Sequence, residues 1–275
     1  LNDKEVKVRI SAIIAAAGRS QRLAQGNKLL ISIGGKPVLA WTLEAFENHP
    51  LIEEIVLVSS RDDIGAIQDL VKKYRFGKVG QILTGGEERQ DSVYSGLAYL
   101  EGAELVAVHD GARPLVSREI LDRVFDACRE ELEADKAVVT AKGDQRELEI
   151  EGVRVTPLYP SGYRGGPRFG GAILALPAHE TVKKVEKANF ISSTLNRDEI
   201  WMAHTPQVFT YDVLLEAHRK ARDSKWYATD DAALVERLGY RVKVVMSSAE
   251  NIKITTTEDI EMAEILIKHR LKSRL

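Results

Sequence analysis

Residues 8–23 read Val-Arg-Ile-Ser-Ala-Ile-Ile-Ala-Ala-Ala-Gly-Arg-Ser-Gln-Arg-Leu, an apolar run that ends at Gly18 and is followed by Arg22 and Lys28. Val8 to Ala15 has the character of a buried strand. Gly18 then opens a loop whose backbone can approach a ligand without interference from a side chain. Backbone N–H groups and two cations facing one anion make a phosphate-binding loop. Two familiar alternatives fail on spacing. A dinucleotide fingerprint needs three glycines at fixed intervals and a Walker loop ends in Gly-Lys-Ser/Thr. Here Ser20 and Gln21 follow Gly18, and Asn27 separates Gly26 from Lys28. Neither a Rossmann dehydrogenase nor a P-loop kinase is supported.

Outward from this loop, strand and helix patterns alternate. After Ile10 to Ala16 come a helix over Val38 to Glu47, a strand over Glu54 to Ser59, a helix over Asp63 to Tyr74 and a strand over Val79 to Leu83. A helix over Arg89 to Leu100, a strand over Glu104 to His109, a helix over Ser117 to Leu132 and a strand over Ala137 to Ala141 follow. Such alternation predicts a mostly parallel sheet with helices on both faces. Lys142 to Gly171 changes character: it is rich in Gly, Pro, Arg and Tyr and contains a hairpin-like pair, Glu147 to Ile150 and Val153 to Pro157, around Glu151-Gly152. Residues 142–169 read as an insertion, with a plain loop favoured over a lid carrying Arg164 or Arg168. The sheet pattern resumes at Ala172 to Leu176. A strand-rich arm spans Thr181 to Leu195, and Trp201 to Phe209 leads into a helix over Asp212 to Arg222. The chain then reads as a helix over Asp230 to Leu238, a strand over Arg241 to Met246, and a helix over Thr257 to Lys272 with Thr257 as its N-cap. The whole chain, 1–275, is one domain carrying an arm.

Composition narrows the partners. The 275 residues are 44% hydrophobic, enough for a substantial core, and the formal charge of −2 offers no global basic field. Nucleic acid and membrane are therefore not expected as partners. The single cysteine, Cys128, falls on the apolar stripe Ile120, Leu121, Val124, Phe125 and reads as a core residue. His49, His109, His179, His204, His218 and His269 are scattered without metal-ligand spacing, so no protein-held metal is expected and any metal arrives with substrate. The absence of a leader-like start and of a long apolar run leads us to expect a soluble cytoplasmic protein.

In an open sheet of this kind ligands bind beyond the carboxyl ends of the strands. Three loops there carry unusual chemistry: the Gly18 loop, Gly85-Gly86-Glu87-Glu88-Arg89-Gln90-Asp91-Ser92, and His109-Asp110-Gly111-Ala112-Arg113-Pro114. A helix start alone explains the acids of the second, but not its glycines. Asp at a strand end suits a ribose or a metal, and Arg113 can fork onto a phosphate as no lysine can. Lys253, between Ile252 and Ile254, sits at an alternating position that reads equally as solvent-facing or as aimed into the cleft.

Taken with His204-Thr205-Pro206-Gln207, Thr229-Asp230-Asp231-Ala232 and Asn251-Ile252-Lys253-Ile254-Thr255, these motifs resemble, in order and over nearly the whole chain outside about 142–169, the 2-C-methyl-D-erythritol 4-phosphate cytidylyltransferase family. The resemblance implies a Rossmann-like nucleotidyltransferase fold with a protruding β-arm, and transfer of CMP from CTP to methylerythritol phosphate with release of pyrophosphate, in the non-mevalonate isoprenoid precursor pathway. It implies that Ala15, Ala16, Ala17 and Gly18 hold CTP, with Gly86, Glu87 and Ser92 around the cytosine and Asp110 and Gly111 near the ribose. Arg22 and Lys28 would hold the triphosphate, and Lys253 would stand between the reacting phosphates, these three being the catalytic set. Arg113, Thr181, Arg197, Thr205 and Thr229 would meet the acceptor. Mg2+ or another divalent cation would come with the CTP phosphates, and residues 181–197 would form a homodimerisation arm that completes the partner's site. The rival enzyme is a ribitol 5-phosphate cytidylyltransferase, and the rival class is a non-catalytic CTP sensor.

Overall fold

The computed structural model describes residues 8–18, 27–141, 148–150, 153–155 and 168–272. In chain order the elements are β1 (Ile10–Ala16), β2 (Ser32–Ile33), β3 (Lys36–Pro37), α1 (Val38–Glu47), β4 (Ile52–Ser59), α2 (Ile64–Tyr74), β5 (Val79–Thr84), α3 (Arg89–Tyr99) and β6 (Leu105–Asp110). They continue with α4 (Arg118–Ala141), β7 (Leu148–Ile150), β8 (Val153–Val155), β9 (Phe169–Pro177), β10 (Lys183–Val185), β11 (Ile191–Thr194), β12 (Trp201–Thr210), α5 (Tyr211–Asp223), α6 (Asp231–Arg237), β13 (Arg241–Met246) and α7 (Thr257–Lys272).

Seven strands form one sheet in the order β13-β9-β12-β6-β1-β4-β5. β12 alone runs against its neighbours, pairing antiparallel with β6 and β9, while the β1–β4, β1–β6, β4–β5 and β9–β13 pairs are parallel. Alternation along the central strands explains the layering. Ile10, Ala12, Ile14 and Ala16 of β1, with Leu105 and Ala107 of β6, face a core formed with α1, α2, α4 and α7. Ile13, Val106 and Val108 face the other side, against Val93 and Leu97 of α3 and apolar residues of α5 and α6. A strand buried on both faces has no room for an unpaired charge, and residues 10–16 carry none. Cys128 lies in the first core, fully buried, and burial pushes its thiol up to about 12, so it is an inert packing residue.

Two local expectations are corrected. Ala137 to Ala141, expected as a strand, is the last stretch of α4. No Gly or Pro interrupts the sequence between Ser117 and Gly143, so the helix that starts at Arg118 meets no local stop signal. The place beside β12 is taken instead by β9. The N-cap of α7 is Thr256 rather than Thr257: its Oγ1 accepts from Asp259 N–H at 3.4 Å, while Asp259 Oδ2 accepts from Thr256 N–H at 2.8 Å. This reciprocal pair is a capping box, shifted one residue ahead of the expected start.

The hairpin expected around Glu151-Gly152 is present as the antiparallel pair β7–β8, with Leu148 opposite Val155. Arg164 lies outside the described residues. The arm is the antiparallel pair β10–β11, a two-stranded unit apart from the main sheet whose residues are all exposed.

Candidate active site

The strand order reverses at β1, whose two neighbours β6 and β4 lead to opposite halves of the sheet, and a crevice opens at the carboxyl ends of such strands. Ala15 sits opposite Asp110 in the β1–β6 register. The Gly111 N–H donates to the Ala15 carbonyl at 2.9 Å, and a Cβ on Gly111 would stand 3.2 Å from that oxygen and 3.3 Å from Leu39 Cδ1. Gly85 is placed as tightly: its N–H donates to the Ser59 carbonyl at 2.7 Å, and an added Cβ would lie 2.5 Å from Ala17 Cβ and 2.6 Å from Ser92 Oγ. Two glycines thus let three loops close onto one another. Ala15 to Gly18, Gly85 to Ser92 and Asp110-Gly111 form one continuous lining, with Gly18, Gly86 and Glu87 exposed and Ser92 buried beneath.

At the end of β6 a buried acid carries three cations. Asp110 Oδ2 lies 2.9 Å from Lys253 Nζ and 3.5 Å from Arg113 Nε, and Oδ1 lies 3.4 Å from Arg89 Nε. Burial alone would raise the Asp110 carboxyl, but Arg89, Lys253 and Arg113 outweigh it and hold it well below the usual carboxylate range. The acid is therefore permanently ionised at neutral pH. The Lys253 side chain is 41% exposed, so it lies at the solvent side of the cluster rather than sealed within it. Of the two orientations open to Lys253, the structure takes the one aimed at the strand ends.

A hydrogen-bond web fixes this cluster from below. Thr205 Oγ1 accepts from the Asp110 N–H at 3.0 Å and contacts His109 Nδ1 at 3.1 Å, while His109 Nε2 faces the Arg113 carbonyl at 3.3 Å. The carbonyl can only accept, so Nε2 bears the proton and Thr205 donates to Nδ1. Burial drives His109 down to about 3, which keeps the ring neutral in this role. His204, whose Nδ1 lies 2.9 Å from Ser247 Oγ, is likewise lowered to about 4 by burial. Asn251 Nδ2 donates to the Thr205 carbonyl at 2.9 Å, and Arg113 Nη1 donates to the Asn251 carbonyl at 2.6 Å. The segment that carries Lys253 is thereby pinned to β12 and to the loop after β6.

The other expected site residues are distributed as follows. Lys28 begins a 3-10 turn whose N-cap, Asn27, accepts from the Leu29 N–H at 2.9 Å through Oδ1. Arg22 lies outside the described residues. Thr229 is exposed, one residue ahead of Asp230, which caps α6 by accepting from Ala233 N–H. Thr181 and Arg197 lie on or beside the exposed arm, and Arg197 Nη1 donates to the His179 carbonyl at 3.1 Å. The structure therefore gathers Ala15 to Gly18, Gly86, Glu87, Ser92, Asp110, Gly111, Arg113, Thr205 and Lys253 at one edge, and sets Thr181 and Arg197 on the arm. Sequence reasoning gave no role to Arg89, Asp231, His218, Gln207 or Asn251, although all but His218 stand inside quoted motifs. A separate cleft of about 650 Å3 lies between α1, the 114–117 segment and the end of α7, and the expected site residues do not line it. No helix among the described residues is long and apolar enough to cross a membrane.

A mostly parallel, doubly covered sheet with a glycine-lined crevice and an ionised acid under cations defines a nucleotidyltransferase of the α/β class. Solved structures agree: a synthase of 4-diphosphocytidyl-2C-methyl-D-erythritol from Anaerococcus prevotii superposes with a TM-score of 0.70 at 30% identity, covering 94% of this chain and 98% of that one. The 2-C-methyl-D-erythritol 4-phosphate cytidylyltransferase of Thermus thermophilus gives 0.65 at 30% identity, covering 94% and 99%. In sequence, the cytidylyltransferase of that name from Syntrophus aciditrophicus is 40% identical over 266 residues, 96% of this chain and 97% of the relative. The family model for 2-C-methyl-D-erythritol 4-phosphate cytidylyltransferase matches residues 10–151 and 167–269. The chain belongs to that family.

Proposed function

We propose that this protein transfers CMP from CTP to 2-C-methyl-D-erythritol 4-phosphate, giving 4-diphosphocytidyl-2-C-methyl-D-erythritol and pyrophosphate, a step of the non-mevalonate isoprenoid precursor pathway. The observation that carries the reading is the Asp110 cluster: an ionised acid at the β6 end with Lys253 and Arg113 upon it, beside glycine loops open to a nucleotide.

The chemistry asks for fixed charge rather than proton transfer. A phosphate oxygen of the acceptor, already ionised at neutral pH, attacks the α-phosphorus of CTP, and the bond to the pyrophosphate oxygen breaks. No general base is needed, which suits an edge whose histidines are neutral structural groups. The obstacle is bringing two polyanions together and stabilising a more highly charged pentacoordinate centre, and permanent cations meet that need. Arg22 and Lys28 hold the triphosphate, and Lys253 stands between the reacting phosphates. Ala15 to Gly18 present backbone to CTP, Gly86, Glu87 and Ser92 surround the cytosine, and Asp110 with Gly111 meets the ribose. Arg113, Thr205 and Thr229 face the acceptor. The Thr205 hydroxyl keeps one lone pair after its two bonds within the chain, so it takes part there as an acceptor.

Mg2+ or another divalent cation would come as a companion of the substrate, held mainly through the CTP phosphates: among the described residues no group of three or more His, Cys, Asp or Glu could hold a metal, and both Asp110 oxygens already face cations of the chain. When bound it neutralises phosphate oxygens and eases the departure of pyrophosphate. The exposed arm with Val185, Phe190 and Ile191 supports a homodimer in which Thr181 and Arg197 complete the partner's site. Consumption of CTP, a nucleotide of the cell interior, supports the cytoplasm as the place of action.

Pyrophosphate release with CTP and Mg2+, compared across methylerythritol 4-phosphate, ribitol 5-phosphate and no acceptor, tests the reading. Release with the first acceptor alone is expected. Preference for ribitol phosphate would overturn the acceptor, and silence with both would overturn catalysis in favour of a CTP-binding protein.

A further inference from the structure

One buried charge network is not used by the chemistry above. Arg89, at the start of α3, reaches two acids at once: Nε lies 3.4 Å from Asp110 Oδ1, and Nη1 lies 2.7 Å from Asp231 Oδ2. Its third nitrogen, Nη2, is sealed from solvent without a hydrogen-bond partner, so the two carboxylates alone set the plane of the guanidinium. Asp231 is fully buried and fixed on every side. Its Oδ1 meets His218 Nε2 at 3.1 Å, its N–H donates to Gln207 Oε1 at 3.1 Å, and Gln207 Nε2 donates to Asp230 Oδ2 at 2.7 Å. Burial would raise the Asp231 carboxyl, yet Arg89 and His218 bring it down to about 2, so it stays an anion behind Arg89.

The next residue repeats the tie between the same two regions. Gln90 Nε2 donates to the Trp226 carbonyl at 3.1 Å, and Gln90 Oε1 accepts from Ala228 N–H at 3.2 Å, directly ahead of Thr229. The start of α3, which follows the loop assigned to cytosine, is thus joined to the segment assigned to the acceptor through consecutive residues. Between them stands Asp110, whose Oδ1 faces Arg89 and whose Oδ2 is left to Lys253 and, at longer range, Arg113.

We infer that Arg89 is a positioning residue of the transfer reaction, held from behind by Asp231 and His218, which fixes the Asp110 carboxylate and so the place of the Lys253 ammonium. The inference rests on the functional reading above. With Oδ1 occupied, Asp110 can offer Lys253 a single oxygen and cannot close on it with both. Without Arg89 the acid loses one of its three cations, binds Lys253 more tightly, and draws its charge away from the phosphates. A stabilising group only slightly misplaced loses much of its effect in the transition state, and the supporting residues around such groups matter for that reason.

The test compares wild type, Arg89→Gln and Asp231→Asn in the full-length enzyme for kcat, KM for CTP and for methylerythritol phosphate, melting temperature and the pH profile of kcat/KM. Both variants are expected to lower kcat by about 10-fold or more, with KM for CTP changed by less than about 3-fold. In Arg89→Gln the acid limb of kcat/KM shifts to higher pH, because Asp110 then faces only Arg113 and Lys253, with neutral His109 on β6 and His204 on β12 beside it. Where Arg89→Gln does not fold, Arg89→Lys serves, since it keeps the charge and loses the two-acid fork, and the same fall in kcat is expected. A lower melting temperature with unchanged kcat and an unmoved acid limb would assign Arg89 to stability alone and overturn the inference. Wild type that releases no pyrophosphate in the same assay would instead overturn the functional reading, and this inference with it.

Discussion

The Asp110 cluster and the β10–β11 arm are opposite solutions to the problem of unsatisfied chemistry. In the cluster, charges and hydrogen-bond groups are brought to one strand end and partnered within the chain: Asp110 with Lys253, Arg113 and Arg89, and Thr205 with His109. In the arm, Phe190 is 73% exposed and Ile191 62%, with Val185 close behind at 51%. Large apolar side chains left in water on a narrow ribbon mark a surface that another molecule covers. The difference teaches that one half of the proposed site is preorganised by the fold of a single chain, whereas Thr181 and Arg197 stand on or beside an exposed ribbon and would need the proposed assembly to meet a site.

The largest expected effect comes from breaking the cluster where it meets substrate. Lys253→Ala should lower kcat by about 100-fold or more, as loss of transition-state charge stabilisation does, while the melting temperature changes little because the lysine is substantially exposed. Steady-state pyrophosphate release and thermal unfolding on the same preparation check both parts. A kcat within a few-fold of wild type would remove Lys253 from the reaction.

Breaking the arm should act through assembly first. Each of Phe190 and Ile191 gains on the order of 1.5–3 kcal/mol when fully buried, so Phe190→Asp with Ile191→Asp should weaken dimerisation by at least about 100-fold. Sedimentation should then show monomer at micromolar concentration, with turnover reduced about 10-fold and an unchanged fold by circular dichroism. A monomeric wild type, or a variant that stays dimeric, would contradict the role given to the arm.

Acid should separate the two regions with a smaller effect. The folded-state values of His109 and His204 are lowered from 6.5 to about 3 and about 4. The unfolded chain therefore takes up their protons first, and stability is lost as pH falls below about 6.5 toward those values. Asp110 and Asp231 are also depressed, so their contribution, present above the usual carboxylate range, is lost only at still lower pH. The melting temperature should decline between pH 6.5 and 4.5, and to the same degree in the arm variant. A flat profile would show that the buried histidines are not held neutral.

Much of this architecture was legible because its signals are local. Helices α1 and α7 have the bounds read from the sequence, Val38–Glu47 and Thr257–Lys272, and the apolar run that ends at Gly18 announced a buried strand. The rule that ligands gather at the carboxyl ends of strands pointed to Gly18, Gly85 and Asp110 before any contact was known. The end of α4 was not legible, since a short run such as Ala-Val-Val-Thr-Ala fits a strand or a helix equally until the rest of the sheet is in place. Arg89 and Asp231 were hidden for another reason: they are separated by 142 positions, and nothing local says that a helix start will meet another helix start across the sheet edge. Thr205 could be seen as polar and near the site, but its bonds to His109 and to the Asp110 backbone depend on the antiparallel insertion of β12 beside β6.

The proposed division between a complete cluster and an arm that would serve a second chain is tested most directly by mixing two impaired variants. Lys253→Ala and Arg197→Ala are each expected to be weakly active alone. If the arm reaches the partner's site, a heterodimer contains one site with both defects and one with neither, so re-equilibrated equal mixtures should recover about a quarter of wild-type pyrophosphate release. No recovery in mixtures shown to contain heterodimer would mean that each chain's Arg197 serves its own site or none, and would contradict the shared active site.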